Sequence, residues 1–186
     1  HFAVVESDFL DSNGVLKGNL KDNFQNEFPE ESILDLALYY YGLGHAKESI
    51  ELLSNAGNSP KAEVWLAYLL KDSDSPKSDK LLKQVLMGPT DFIFPYRREA
   101  IPVLEWAESR MPNWKFKYFL AQNYIAVGLL DKGEELLKSC GDSPDSDVFY
   151  RFRAKTLKSS SYGDKLKDYQ KALSLNNGNW LVWNEM

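Results

Sequence analysis

The sequence predicts an all-α protein, a superhelical solenoid of stacked antiparallel helix hairpins. Two observations lead to this prediction: apolar residues recur at three- and four-residue steps, and one hairpin-length segment occurs twice. Between Asn113 and Pro144, one apolar stripe stops at Gly128 and a second is interrupted by Gly133. Glycine accepts the left-handed conformation of a helix C-cap and lets helices approach closely. We therefore expect Gly128 to end the first helix and Gly133 to lie between the two helices.

The internal repeat is found by comparing the sequence with itself at an offset of 84 residues. Ten of the 25 positions in segment 36–60 are identical to their equivalents in segment 120–144. The shared residues in the first copy are Leu36, Ala37, Tyr40, Gly44, Glu51, Leu52, Leu53, Gly57, Ser59 and Pro60. These are residue types that a helix hairpin needs for its inner face and its turns, so both segments are predicted to fold alike.

Both segments resemble the tetratricopeptide repeat, whose pattern spaces a Leu, a small residue, an aromatic residue, a glycine and a later small residue. The residues that carry this resemblance are Leu36-Ala37, Tyr40, Gly44 and Ala56, and Leu120-Ala121, Tyr124, Gly128 and Cys140. Ser49 and Gly133 depart from it, because the family usually has Ala at that position. The resemblance implies a right-handed superhelix with a concave binding face.

In chain order, we expect a connector at 1–28 and a helical repeat domain at 29–186. Pro29 followed by Glu30 and Glu31 favours a helix start, since proline fits the first turn and acidic side chains suit its dipole. The predicted hairpins cover 29–57, 61–87, 97–140 (irregular) and 145–175, and a terminal stub covers 179–186.

A looser resemblance rests on the segments FIFPYRREAIPVLEWA, NWKFKYFLA, CGDSPD and NNGNW. They resemble the C-terminal tetratricopeptide-like region of bacterial multidomain proteins of unknown function. In that group a β-rich part, of a sandwich type common among carbohydrate-active proteins, precedes the hairpins. The resemblance implies that 1–28 is the tail of such a junction, and we expect the chain to be a fragment of something longer.

Composition excludes several classes of function. The net charge is -5, whereas a general nucleic-acid binder needs an excess of Lys and Arg. No apolar run approaches the length of a membrane span, which is about 18 residues. No signal peptide is visible, but in a fragment its absence says little about the compartment, which stays open. We expect a soluble protein, with the cytoplasm slightly favoured.

The expected partner-binding residues follow from the family resemblance, which implies that the outer face of each first helix lines the concave groove. Carried onto the two best-matching segments, these positions are Leu34, Leu38, Tyr41, Lys115, Tyr118, Gln122 and Ile125. Tyr, Gln and Lys suit an extended peptide because they combine apolar bodies with hydrogen-bonding groups. The aliphatic members are too apolar to stand free in water, so this face is expected to be partly covered.

Two further features have a functional and a structural interpretation. Phe92, Phe94, Tyr96 and Trp106 suit either a ligand platform or a wedge between unlike repeats, and Arg97 and Arg98 beside them are candidates for carboxylate recognition. The stretch 151–171 carries seven Lys or Arg against two Asp. It suits either a steering patch for an acidic partner or phosphate backbone, or a solvated helix face, and the structural interpretation is favoured for both.

No catalytic, cofactor or metal motif is found. His45 follows the glycine turn, Cys140 lies on an apolar stripe, and the Asp-rich loops lack the glycine and the closing Glu of a calcium loop. The sequence therefore predicts a non-catalytic scaffold whose partner is a protein or peptide, with no nucleic acid, membrane, metal or cofactor. The alternative is an accessory or spacer domain that packs against a β-rich, carbohydrate-active domain of the same protein.

Overall fold

A computed structural model describes residues 28–90, 93, 95–158 and 160–186 of the chain. The described part is all-α, as predicted. Its residues form two compact units, one ending at Gly88 and one beginning at Pro89. Most of the predicted connector, 1–28, lies outside the described residues, and its assignment stays a prediction, as does the single repeat domain at 29–186.

The first unit contains two helix hairpins. Its helices are α1 (Pro29–Gly42), α2 (Ala46–Ser54), α3 (Pro60–Leu70) and α4 (Ser75–Met87). Helix α1 packs on α2, α2 on α3, and α3 on α4. A proline lies in the first turn of α1, of α3 and of α4, where its missing N–H costs no hydrogen bond.

The second unit contains one helix that belongs to no hairpin, two hairpins and a short terminal helix. Its helices are α5 (Ile101–Arg110), α6 (Trp114–Ala126), α7 (Leu130–Ser139), α8 (Asp147–Thr156), α9 (Tyr162–Leu175) and α10 (Trp180–Glu185). Helices α6 and α7 form one hairpin, and α8 and α9 the other; α5 packs on α6, and α10 packs on α9. A three-residue 3₁₀ turn, Arg98–Ala100, leads into α5.

The turn between α6 and α7 has the predicted glycine geometry. Gly128 has a φ of +85°, its N–H donates to the Ile125 carbonyl at 3.1 Å, and the N–H of Leu129 donates to the Tyr124 carbonyl at 2.8 Å. This pair of bonds is the Schellman motif, which satisfies carbonyls at the end of a helix.

The turn between α1 and α2 is built in the same way. Gly44 has a φ of +86°, its N–H donates to the Tyr41 carbonyl, and the N–H of His45 donates to the Tyr40 carbonyl, both at 3.0 Å. The equivalent atoms, 84 positions apart, therefore make equivalent bonds. The internal repeat inferred from sequence is thus a repeat of backbone geometry.

Close helix contact explains the glycine near the start of α7. A Cβ atom built on Gly133 would lie 2.5 Å from Cγ1 of Ile125 and 3.1 Å from the carbonyl oxygen of Ala121. At the equivalent position in the first unit, Ser49 is fully buried. The prediction that Gly133 allows α6 and α7 to approach closely is confirmed.

We expect Gly128→Ala to lower the free energy of unfolding by about 1–2 kcal/mol, because a Cβ is disfavoured at positive φ. The measurement is chemical denaturation of both proteins. The matched control is Gly163→Ala in α9, where the φ is not positive and a Cβ would meet its nearest neighbour, Ser161 Oγ, at 3.8 Å. An equal effect of the two substitutions would contradict this account of the turn.

We expect Gly133→Ala to cost about 1–3 kcal/mol, since the added methyl group overpacks the contact between α6 and α7. Part of that loss should be recovered by adding Ile125→Ala, which removes the nearest clashing atoms. If thermal melts show no coupling between the two substitutions, close contact between α6 and α7 is not the reason for the glycine at position 133.

Candidate partner-binding faces

In the first unit, the predicted partner residues differ in exposure along α1. Leu34 is buried, Leu38 is half-buried, and Tyr41 keeps 38% of its surface exposed. Tyr41 is also near the C-terminal end of α1, one residue before Gly42. A partner therefore has access to Leu38 and Tyr41 but not to Leu34.

A row of aromatic rings continues from Tyr41 onto α3. The Tyr41 and Trp65 rings lie 5.9 Å apart, and the Trp65 and Tyr68 rings 6.3 Å apart, each pair edge to face. Lys71 Nζ lies 3.6 Å from the centre of the Tyr68 ring, a cation–π contact. We call Leu38, Tyr41, Trp65, Tyr68 and Lys71 the tyrosine row.

Sequence analysis missed the α3 members of the tyrosine row, although a signal for them exists. The Leu-Ala pair at 36–37 recurs at 66–67. Aligning the two pairs places Tyr68 opposite Leu38 and Lys71 opposite Tyr41. That match is much shorter than the repeat at an offset of 84 residues.

In the second unit, Tyr118 is covered by the following hairpin. It is 1% exposed, and its ring lies 5.3 Å from that of Phe149 and 5.6 Å from that of Phe152, both on α8. Lys115 is half-buried beside the Trp114 ring, and Ile125 is half-buried at the contact with Gly133. This face was expected to be partly covered, and at Tyr118 it is covered by the neighbouring helix α8.

Gln122 is the most unusual of the predicted residues. It is 6% exposed, and among the described residues neither its amide nitrogen nor its amide oxygen has a hydrogen-bond partner. A buried amide without partners costs about 1–3 kcal/mol in mutational data. We therefore expect this amide to contribute unfavourably to the free energy of folding.

The two arginines proposed for carboxylate recognition lie just before α5. Arg97 Nη2 donates to the Tyr96 hydroxyl at 2.9 Å, and Arg98 is exposed. The carbonyl of Arg97 accepts a hydrogen bond from Asn123 Nδ2, which brings this segment next to α6. Phe92 and Phe94, the first members of the proposed aromatic platform, lie outside the described residues.

Arg153 is a buried cation that sequence analysis assigned only to the basic stretch. Its Nε and Nη2 donate to the two carboxylate oxygens of Asp168 at 2.9 and 2.6 Å, and its Nη1 donates to the carbonyl of Gly141 at 2.6 Å. The guanidinium also lies over the rings of Phe149 and Tyr150. This forked pair joins α8 to α9 and to the turn after α7, so it is structural.

Two groups of the second unit, the Cys140 thiol and the Tyr124 hydroxyl, have strongly raised pKa values. Burial raises the pKa of the Cys140 thiol to about 11, although Lys117 and Arg153 oppose the shift. Burial, and then the hydrogen bond and charge of Glu105, raise the pKa of Tyr124 to about 12. Both groups therefore stay protonated at neutral pH, and neither supplies an activated nucleophile.

Within the described ranges, no group of three or more His, Cys, Asp and Glu side chains lies close enough to hold a metal ion. Nor is any helix in those ranges both long enough and apolar enough to cross a membrane.

Comparison with known proteins finds similarity at the level of the fold. No protein-family model and no curated protein matches the chain. Similar solved structures include TTC0263, a thermophilic TPR protein of Thermus thermophilus, with 20% identity, a TM-score of 0.43, and coverage of 84% of this chain and 96% of that one. Another is MamA from Desulfovibrio magneticus, with 16% identity, a TM-score of 0.39, and coverage of 84% and 99%.

These identities and TM-scores are low, so the fold assignment rests on the hairpins of this chain. The repeated Schellman turns, the buried small residue at 49 and 133, and the packing of successive hairpins make the described chain a tetratricopeptide-like helical repeat. The looser resemblance to bacterial multidomain proteins stays a prediction.

We expect Gln122→Met to raise the free energy of unfolding by about 1–3 kcal/mol, because an unbranched apolar side chain replaces a buried amide without partners. Chemical denaturation measures the effect, and Gln170→Met, at an exposed position of α9, is the matched control. Destabilisation by Gln122→Met beyond that of the control would show that the amide is satisfied in solution.

Proposed function

We propose that this chain is a non-catalytic protein-interaction scaffold that binds a peptide or partner segment along the tyrosine row. The observation that carries the proposal is that Tyr41 is partly exposed. It lies beside Leu38 and forms one end of a row of packed rings. Rings that are already packed lose little conformational freedom when a partner covers them, so their contact area is converted efficiently into affinity.

The chemistry of the row suits an extended segment. Tyr41 and Tyr68 present apolar ring surface with a hydroxyl at the edge, and Lys71 adds a cation at one end. An extended peptide needs apolar surface and hydrogen-bond donors together. Its side chains bury apolar area, while its backbone carbonyls need donors. The mechanism is binding alone.

The second candidate function is an accessory or spacer domain that packs against a β-rich domain of the same protein. The burial of Tyr118 and Gln122 favours it for the second unit, because two of the four expected partner residues there are withdrawn from solvent by this chain. A spacer needs rigid contacts between its own hairpins and no open groove.

The test is site-specific photo-crosslinking in lysate of the source cells. Benzoylphenylalanine replaces either Tyr41 or, as the control, Tyr39. Tyr39 is 58% exposed and lies two residues away, on nearly the opposite side of α1. We expect a defined crosslinked partner from position 41, none from position 39, and loss of the position-41 product when Tyr68→Ala is added.

Equal crosslinking from positions 39 and 41 would contradict a partner site on the tyrosine row. If position 41 gives no product while thermal melts show the protein folded, the spacer function is favoured instead. Mass spectrometry of the product identifies the bound segment and its residue class.

A further inference from the structure

An open cavity of about 370 Å³ lies between α8, α9 and the end of α10. Its apolar walls are Tyr162, Leu166, Tyr169 and Met186. Tyr169 is 9% exposed, whereas Tyr162 is 74% exposed and forms part of the rim. The volume is near the lower end of the range for ligand pockets, about 300–1,000 Å³, so it suits one or two side chains.

The charged side chains at this cavity carry an excess of positive charge. Glu185 accepts hydrogen bonds from Lys155 at 2.9 Å and from Arg151 at 2.6 and 2.8 Å, so one carboxylate serves two cations. Lys165 also lines the cavity, and the described residues offer its ammonium neither a hydrogen bond nor an ion pair. Counting Arg151, the side chains at the cavity sum to a charge of +2.

We propose that this cavity binds an acidic peptide segment in which a carboxylate side chain neighbours a bulky apolar one. The carboxylate pairs with Lys165, and the apolar side chain lies against Leu166, Met186 and the ring of Tyr162. The site is separate from the tyrosine row, which belongs to the first unit.

Charge complementarity favours an acidic peptide over other anionic partners. The stretch 151–171 is basic on a chain whose net charge is -5, so an acidic segment is steered towards this part of the surface. A nucleic-acid backbone fits less well, because Glu185 already pairs with Arg151 and Lys155. Arg153 likewise pairs with Asp168, and Lys167 with Asp164. Too few cations then remain to neutralise successive phosphates.

The apolar walls argue for a bulky neighbour to the carboxylate. Lysine and a carboxylate at a partly exposed site attract each other only weakly, as surface ion pairs usually do. Burial of an apolar side chain against Leu166, Tyr169 and Met186 supplies the larger part of the affinity, and Lys165 then selects the acidic sequence.

The experiment is fluorescence anisotropy with the whole 186-residue chain and a fluorescein-labelled peptide that contains Glu-Phe-Asp between Gly-Ser flanks. We expect saturable binding, and an affinity lower by about fivefold or more for Lys165→Gln. The matched control is Lys171→Gln, an exposed lysine of the same helix that does not line the cavity; it should bind like the unchanged protein.

Two further peptides separate the contributions. Gln-Phe-Asn should lose as much affinity as Lys165→Gln causes, and Glu-Ala-Asp should bind more weakly than Glu-Phe-Asp. The proposal is overturned if none of the peptides binds, if Lys165→Gln and Lys171→Gln behave alike, or if the acidic and amide peptides bind equally. It is also overturned if sedimentation shows a dimer that Lys165→Gln dissociates, because a second copy would then be the occupant.

Discussion

The repeat depends on close contact between two antiparallel helices at a position that holds a glycine in one hairpin and a fully buried serine in the other. At Gly133, a single methyl group would meet Ile125 and the carbonyl of Ala121. The Schellman turn at Gly128 joins the two helices that make this contact, and the same turn at Gly44 joins α1 to α2 in the first unit. The two features need each other, since the turn sets the direction and the small residue permits the approach.

That contact determines which face of the first helix in a hairpin can make contacts outside the hairpin. Residues on the side of the contact, such as Leu36 and Leu120, enter the hairpin core. The neighbouring face of the same helix is either covered by the following hairpin or left accessible. The two units use this face differently. In the first, Leu38 and Tyr41 stay accessible beside Trp65; in the second, Tyr118 is covered by Phe149 and so helps to hold successive hairpins together.

Local patterns in the sequence were enough for the helices, their turns and the repeat, because caps and apolar stripes are set by neighbours within a few residues. They could not show whether a face is covered, since the burial of Tyr118 depends on rings some thirty positions away, at Phe149 and Phe152. Arg153 was missed for the same reason: its partner, Asp168, lies on another helix. Sequence periodicity placed Gln122 on the right helix but could not show that its amide is enclosed.

The two proposed sites differ in the force that would hold a partner, and this difference follows from their surroundings. The tyrosine row consists mostly of neutral rings, so its binding energy comes from buried apolar area and changes little with ionic strength. The cavity beside α10 relies on Lys165 for selectivity, and salt screens an exposed charge of this kind. A chain with both could hold one segment through shape and select another through charge, so that the two attachments respond independently to the same solution. Such a division of labour is open to a repeat protein, because each hairpin is stabilised mainly by its neighbours and its outer residues can vary without loss of the fold.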